Sequence, residues 1–241
     1  MRRALARLFG KTRAAPGDVG SVSRSHVGRV RKVNEDRVLD RSDLGLWAVA
    51  DGMGGHSAGD VAAETAIAEL ERWGERQEEA SLEAAMLRAH ARLLAVTGGK
   101  GGTTLVAMVA AGGGAHVCWA GDSRAYLIRT GRLRQLTRDH SLVQQLLDAG
   151  LIDEPAARTH PQANVVTSAL GTGVPPLIES VTIPVAPGDR VLLCSDGLSR
   201  SLQEADVGGE IALPELADGL LAAAMERDGS DNASLVLVRF S

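Results

Sequence analysis

The sequence predicts an α+β layered fold built mostly on antiparallel sheet. Strand-like runs come in adjacent groups, and the two longest helical patterns stand side by side. Strict strand–helix–strand alternation, the mark of a doubly wound parallel sheet, is missing. With 241 residues the chain has enough material for one large domain or two small ones with a sizeable core.

The elements follow in order. Residues 1–20 read as a tail: Ala4, Leu5, Leu8 and Phe9 could line a short basic helix that Pro16-Gly17 would end, and the plainer reading is a flexible, solvated N-terminus. Strand-like runs then fall near 27–31, 46–50, 103–110, 115–120, 124–129, 177–183, 189–195 and 233–240. Helical spacing appears at 60–73 (Val61, Ala62, Ala66, Ile67, Leu70), at 81–96 (Leu82, Ala85, Met86, Ala89, Leu93) and at 215–227. Ser57 with Asp60 three residues on is a weak cap for the first helix. Gly112-Gly113-Gly114 divides the long uncharged stretch 101–121 into two buried strands and a turn, which excludes a membrane span there. Thr130-Gly131 marks a hairpin between Ala125–Arg129 and Leu133–Leu136. Residues 137–174 form a polar segment with a short helix at 142–149, placed as an insertion over one edge of the core. The remaining chain, 21–241, reads as one domain.

Hydrophobic residues at 44% and charged residues at 23% describe a soluble globular protein. Aromatics at 2% and a net charge of −4 exclude a base-stacking nucleic-acid surface. The charge is uneven: Arg2, Arg3, Arg7, Lys11 and Arg13 have no acid among them, which leaves 21 basic against 30 acidic residues afterwards, near −9. Cys118 and Cys194 lie in apolar runs and suggest a reducing compartment. No apolar stretch suited to a secretory signal follows the basic start. These features predict a cytoplasmic protein without a transmembrane segment.

The chemistry is written in aspartates at the ends of apolar runs. Leu46-Trp47-Ala48-Val49-Ala50 runs into Asp51-Gly52, and Val191-Leu192-Leu193-Cys194-Ser195 runs into Asp196-Gly197. Asp36, Asp122 and Asp231 sit in similar polar corners. A single Asp-Gly is ordinary turn chemistry. Several acids at buried strand ends with few basic neighbours in sequence are costly unless a cation binds them. Oxygen-only donors favour Mg2+ or Mn2+. Zinc would call for His-x-x-x-His or Cys-x-x-Cys spacing, which the sequence lacks. The number of acids suits two ions, which could acidify a shared water for attack on phosphorus. Arg31 could aim a guanidinium at a substrate phosphate.

The ordered set Arg31-x-x-Asn34-Glu35-Asp36, Val49-Ala50-Asp51-Gly52-Met53-Gly54-Gly55-His56, Gly102-Thr103-Thr104, Gly121-Asp122-Ser123-Arg124, Ser195-Asp196-Gly197-Leu198 and Asp231-Asn232 resembles the motifs of the PP2C (PPM) metal-dependent Ser/Thr protein phosphatases, bacterial type. Asp139-His140-Ser141-Leu142-Val143, Thr159-His160-Pro161 and Ala169-Leu170-Gly171 resemble that family's flap. The resemblance spans about 21–240. It implies a central β-sandwich of two antiparallel sheets flanked by antiparallel helices. It also implies two, with a possible third, Mn2+ or Mg2+ ions. Asp51 would bridge two of them, the Gly52 carbonyl would bind one, and Asp196 and Asp231 would hold the other. Asp122 with Asp196 would form the third site, Glu35 and Asp36 would order metal-held waters, and Arg31 would bind phosphate. Thr103 and Thr104 are packing and turn residues. The implied substrates are phosphoserine and phosphothreonine in proteins, the implied partner is an opposing bacterial Ser/Thr kinase, and the implied state is a monomer.

The chain departs from the family pattern at two places. Met53 stands where eukaryotic members often have a histidine proposed as general acid, so the leaving group is protonated from elsewhere; His56 is read as loop packing. Ser168 stands where many bacterial relatives have an arginine before Ala-Leu-Gly. A rival pattern, Cys194-x-x-Gly197-x-x-Arg200-Ser201, matches the phosphate loop of cysteine-dependent tyrosine phosphatases. It leaves Asp51, Asp122 and Asp231 without a role and puts a carboxylate inside the phosphate cradle. A catalytically silent relative that only binds partners is the other alternative, and the complete acidic set speaks against it.

Overall fold

The computed structural model describes residues 19–54, 58–76, 80–111 and 113–241. The basic run of the tail, His56 and the Ser57 cap lie outside the described residues. Val19 and Gly20, assigned from sequence to the tail, begin the first strand instead.

Among the described residues, ten strands form two five-stranded sheets, and every pairing is antiparallel. One sheet runs β1 (Val19–His26), β10 (Ala233–Phe240), β9 (Arg190–Cys194), β6 (Arg124–Arg129) and β7 (Arg132–Gln135). The other runs β2 (Asp36–Arg41), β3 (Leu46–Met53), β4 (Gly102–Ala111), β5 (Gly114–Ala120) and β8 (Glu179–Pro184). The helices are α1 (Ala58–Glu75), α2 (Leu82–Thr97), α3 (Leu142–Asp148), α4 (Glu154–Arg158), α5 (Asp196–Ser199) and α6 (Leu213–Arg227).

The layers follow from the two-residue period of the strands. On β3, Trp47 and Val49 face the other sheet, while Leu46, Ala48 and Ala50 face α1 and α2. On β10, Val236, Val238 and Phe240 face inward, and Leu235 and Leu237 face α6. Burial on both faces is why these strands read as unbroken apolar runs. Fully burying a side chain such as Leu193 or Leu235 is worth about 1.5–3 kcal/mol. Ser81 caps α2 by accepting from the Ala84 N–H (3.3 Å), and α2 lies beside α1 over the sheet that carries β3.

The structure departs from the sequence reading at three stretches. The stretch 27–31 is not a strand, because the Asn232 side chain captures the carbonyls of Val27 (2.8 Å) and Val33 (3.0 Å) and draws that backbone out of any ladder. β1 and β2 were missed because serines and charges alternate through them. The 137–174 segment contains α3 and α4 and is stitched back to the sandwich. Thr103 and Leu170 exchange backbone hydrogen bonds (3.0 and 2.9 Å), and the His140 N–H donates to the Gly121 carbonyl (2.9 Å).

Candidate functional site

The acids meet where strands of both sheets end. Asp36 opens β2 and is the cross-strand partner of Asp51 near the end of β3, so both side chains project from the same face. Val38 and Val49 mark that face as the one between the sheets. Asp196 follows β9, Asp122 lies between β5 and β6, and Asp231 precedes β10.

Backbone packing fixes these positions tightly. A Cβ on Gly52 would lie 2.2 Å from the Gly59 carbonyl oxygen, so the first turn of α1 can rest directly against the strand end. A Cβ on Gly197 would lie 2.1 Å from the Asn232 carbonyl oxygen, which brings Asp196 and Asp231 together. Either site excludes any larger residue without movement of main chain.

Hydrogen bonds complete the frame. Ser195 Oγ donates to Asp36 Oδ2 (2.8 Å) and accepts from the Ser234 N–H (2.9 Å). The Thr103 hydroxyl donates to the Asp51 carbonyl (2.9 Å), and Thr104 Oγ1 bonds Ser123 Oγ (2.7 Å), which agrees with structural roles for both threonines. Asn232 Oδ1 accepts from the Glu35 N–H (2.8 Å), in addition to its two donations to Val27 and Val33. One buried amide thus holds the 27–35 arm that carries Arg31 and Glu35 and leads into Asp36 at the start of β2.

The electrostatics are strained. Burial pushes the Asp36 carboxyl up to about 7, against the hydrogen bonds of Ser234 and Ser195, and the charges of Asp196 and Asp231 push it the same way. Burial also drives Asp51 well above the ordinary aspartate range, with Asp36, Asp196, Asp122 and Asp231 each adding repulsion. Asp122 is raised to about 7 by burial and then by Asp196 and Asp139. Asp196 is raised by burial, with Arg200 opposing and Asp231 reinforcing the rise. Asp36 Oδ1 and Asp196 Oδ1 are buried without a hydrogen-bond partner. An orphaned buried carboxylate oxygen inside a cluster of carboxylates is what a cation would satisfy, so these residues fit a hard divalent metal.

All five aspartates singled out in the sequence therefore converge. Glu35 sits beside them, with its Oε1 2.6 Å from where a Cβ of Gly59 would be. Arg31 Nη2 pairs with Asp231 Oδ2 at 2.8 Å, and the Arg31 side chain is 51% exposed. Arg200, which lies outside the metal-site motifs of the sequence, pairs its guanidinium with Asp196. It stands four residues on, next to the short helix α5, and that spacing was the available signal. The acids thus have closer basic partners than the sequence suggested. Asn232 was visible in a motif, but its bonding depends on tertiary placement.

Cys194 does not face this cluster. It points toward α6 with no exposed surface, and burial pushes its thiol up to about 12. Arg200, the arginine of the rival phosphate loop, is engaged by Asp196. A groove of about 820 Å3 runs from Asp122 and Asp196 past Arg200 to Gln144, Arg158 and Asn164 of the 137–174 segment.

Residues 22–236 match the family model described as protein phosphatase 2C, and the chain belongs to that family. Among relatives, it is 35% identical over 238 residues to the serine/threonine phosphatase stp of Listeria welshimeri, covering 89% of this chain and 93% of that one. It is 38% identical over 229 residues to the serine/threonine protein phosphatase PstP of Mycobacterium tuberculosis, covering 89% of this chain and 44% of that one. A crystal structure of the PstP catalytic domain in complex with two manganese ions superposes with a TM-score of 0.79 at 34% identity, over 92% of this chain and 97% of that one. No helix among the described residues is long and apolar enough to cross a membrane.

Proposed function

We propose that this chain removes phosphate from phosphoserine and phosphothreonine in proteins, as a cytoplasmic monomer opposing a Ser/Thr kinase, with Mn2+ or Mg2+ as cofactor. The observation that carries this reading is the cluster of aspartates whose two buried oxygens, on Asp36 and Asp196, have no hydrogen-bond donor among the described residues. Family membership supports the reaction class.

Asp51 and the Gly52 carbonyl would hold one ion, with Asp51 shared to a second held by Asp196 and Asp231. Asp122 with Asp196 would take a third. Glu35 and Asp36 would act through ordered water. When bound, the ions would supply positive charge and acidify a water for attack on phosphorus. The chain's own residues do the rest. Ser195 and Ser234 orient Asp36, and Asn232 sets the 27–35 arm. Arg31, once Asp231 has a cation, can turn its exposed guanidinium to the substrate phosphate. The groove beside Arg200 and Arg158 leads the substrate chain away past the 137–174 segment, which we assign as the flap of a single domain.

The test is hydrolysis of p-nitrophenyl phosphate and of a phosphothreonine peptide. Activity that requires Mn2+, stops with a chelator and survives Cys194→Ser supports the proposal. Chelator-resistant turnover lost in Cys194→Ser would overturn it, and no turnover with any divalent metal would leave a silent binding relative.

A further inference from the structure

A second cluster of ligating side chains lies on the other face of the same sheet. Cys118 and His116 are two residues apart on β5, so both project toward the helical layer, where the first turn of α2 brings Glu83 over them. His116 Nε2 lies 3.0 Å from Glu83 Oε1 and 3.2 Å from Cys118 Sγ. The three donor atoms all fall within 4.8 Å of one another. His116 Nδ1 bonds Thr182 Oγ1 of β8 at 2.8 Å, which fixes the ring so that Nε2 faces the other two groups.

We propose that Glu83, His116 and Cys118 form a thiolate-containing site for Zn2+ or a similarly thiophilic divalent ion, separate from the all-oxygen centre. One sulfur, one imidazole nitrogen and one carboxylate oxygen form a donor set suited to zinc, and three protein ligands leave a fourth position for water. Donors around a tetrahedral zinc stand about 3.3–3.6 Å apart, so the His116–Glu83 and His116–Cys118 pairs need to open by only a few tenths of an ångström. The Thr182 hydroxyl is the outer partner that orients the histidine. Binding releases the Cys118 thiol proton to water. Burial and the Glu83 charge hold that thiol protonated in the metal-free chain, so Cys118 is not a nucleophile in its own right. Glu83 is 32% exposed and His116 17%, which gives the ion a path from solvent to the buried sulfur.

The site is remote from the aspartates. Asp51 pairs with Thr104 on β4 and Cys118 with Ala107, three residues or about 10 Å along the strand, and the two face opposite sides of the sheet. A bound ion would pin the start of α2 to β5.

Sequence spacing could not show this site, because its ligands are a strand pair and a distant helix residue rather than a Cys-x-x-Cys or His-x-x-x-His motif. The test is titration of the metal-stripped full chain with Co2+, Mg2+ being kept in excess to occupy oxygen ligands. We expect a sulfur-to-cobalt charge-transfer band and intense tetrahedral visible bands that saturate at one equivalent. They should vanish in Cys118→Ser, persist in Cys194→Ser, and need about 10-fold more cobalt or beyond in Thr182→Val. Zn2+ should displace the cobalt, and Mn2+-supported phosphatase activity of Cys118→Ser should be unchanged. Absence of the charge-transfer band in the unaltered chain overturns the proposal, as does a band that survives Cys118→Ser. If Cys118→Ser does not fold, His116→Gln takes its place, and unchanged cobalt affinity there overturns the proposal equally.

Discussion

Replacing Asn232 with alanine tests whether one amide builds the catalytic arm. Its side chain is 6% exposed and makes three hydrogen bonds: donations to Val27 O and Val33 O, and acceptance from the Glu35 N–H. Each is worth about 1 kcal/mol net, so their joint loss should destabilise the fold by about 3 kcal/mol. For a chain of this size each kcal/mol moves the midpoint by roughly 2–4 °C, which gives a fall of about 6–12 °C in thermal unfolding. Asn232→Asp keeps the acceptor for Glu35 but loses both donors and faces two carbonyls with a negative charge, so it should cost about 2 kcal/mol or more. The same variants should lower kcat/KM about 10-fold or more where the chain is still folded, because Arg31 and Glu35 ride on the released segment. Urea titration with chelator present, paired with a Mn2+-supported rate, reads both effects. A loss below about 1 kcal/mol in Asn232→Ala would show that the arm holds itself in place, and the argument from this residue would fail.

The other predictions bear on the acids and their frame. Asp51→Asn and Asp196→Asn should each abolish nearly all turnover while circular dichroism stays native; near-normal rates in either would remove that residue from the metal centre. Arg31→Ala should mainly raise KM, since a phosphate-binding arginine acts in ground and transition states alike, and an unchanged KM with unchanged rate would exclude it from the site. Gly197→Ala forces a Cβ to within 2.1 Å of the Asn232 carbonyl and should cost about 1–3 kcal/mol or more, with activity lost as Asp196 shifts; a neutral result would contradict that contact. The metal-free chain should grow less stable from pH 5 to pH 8. Asp36 and Asp122 are raised from 3.8 to about 7, so between those values the folded cluster holds protons that the unfolded chain has released, and stability falls with rising pH. Carboxylates held low by arginines, such as Asp206 beside Arg227, act below about pH 4 and do not offset this. A metal-free midpoint that rises over the same range would refute the linkage, and saturating Mn2+ should flatten it.

What could be read from the sequence tracks what is buried on both faces. β3, β4, β9 and β10 were legible because apolar residues fill both registers, and the helices because Ala62, Ala66 and Leu70 repeat toward one core. β1 was not, because Ser21, Ser23 and Ser25 alternate with Val22 and Arg24 on a strand that pairs only with β10. The misread strand at 27–31 shows the same limit from the other side: its apparent alternation ends in Val30, which is 71% exposed, and a remote amide takes its carbonyls. The acids were legible because each follows a run that could only be a buried strand. Arg200 and Asn232 were not, since each acts through a partner that only the folded chain supplies. The Glu83–His116–Cys118 cluster was hidden for the same reason.

The two arginines at the acidic cluster bear on how the site binds metal at all. Without ions, Arg31 pairs with Asp231 and Arg200 with Asp196, and these are the two acids assigned together to one ion. The guanidinium of each pair is partly exposed, so solvent screens its attraction, and one arginine holds its carboxylate less strongly than a divalent ion bound by several carboxylates. The arginines are therefore weak occupants that offset part of the repulsion and yield on metal entry. Neither reaches the two orphaned oxygens of Asp36 and Asp196, and Asp51 has no arginine of its own among the described residues. The uncompensated charge is thus concentrated at Asp36, Asp51 and Asp196, where β2, β3 and β9 end. A cation binding there relieves the largest repulsion first. On the proposed assignment it would also free Arg31 from Asp231, coupling metal loading to phosphate binding through one guanidinium.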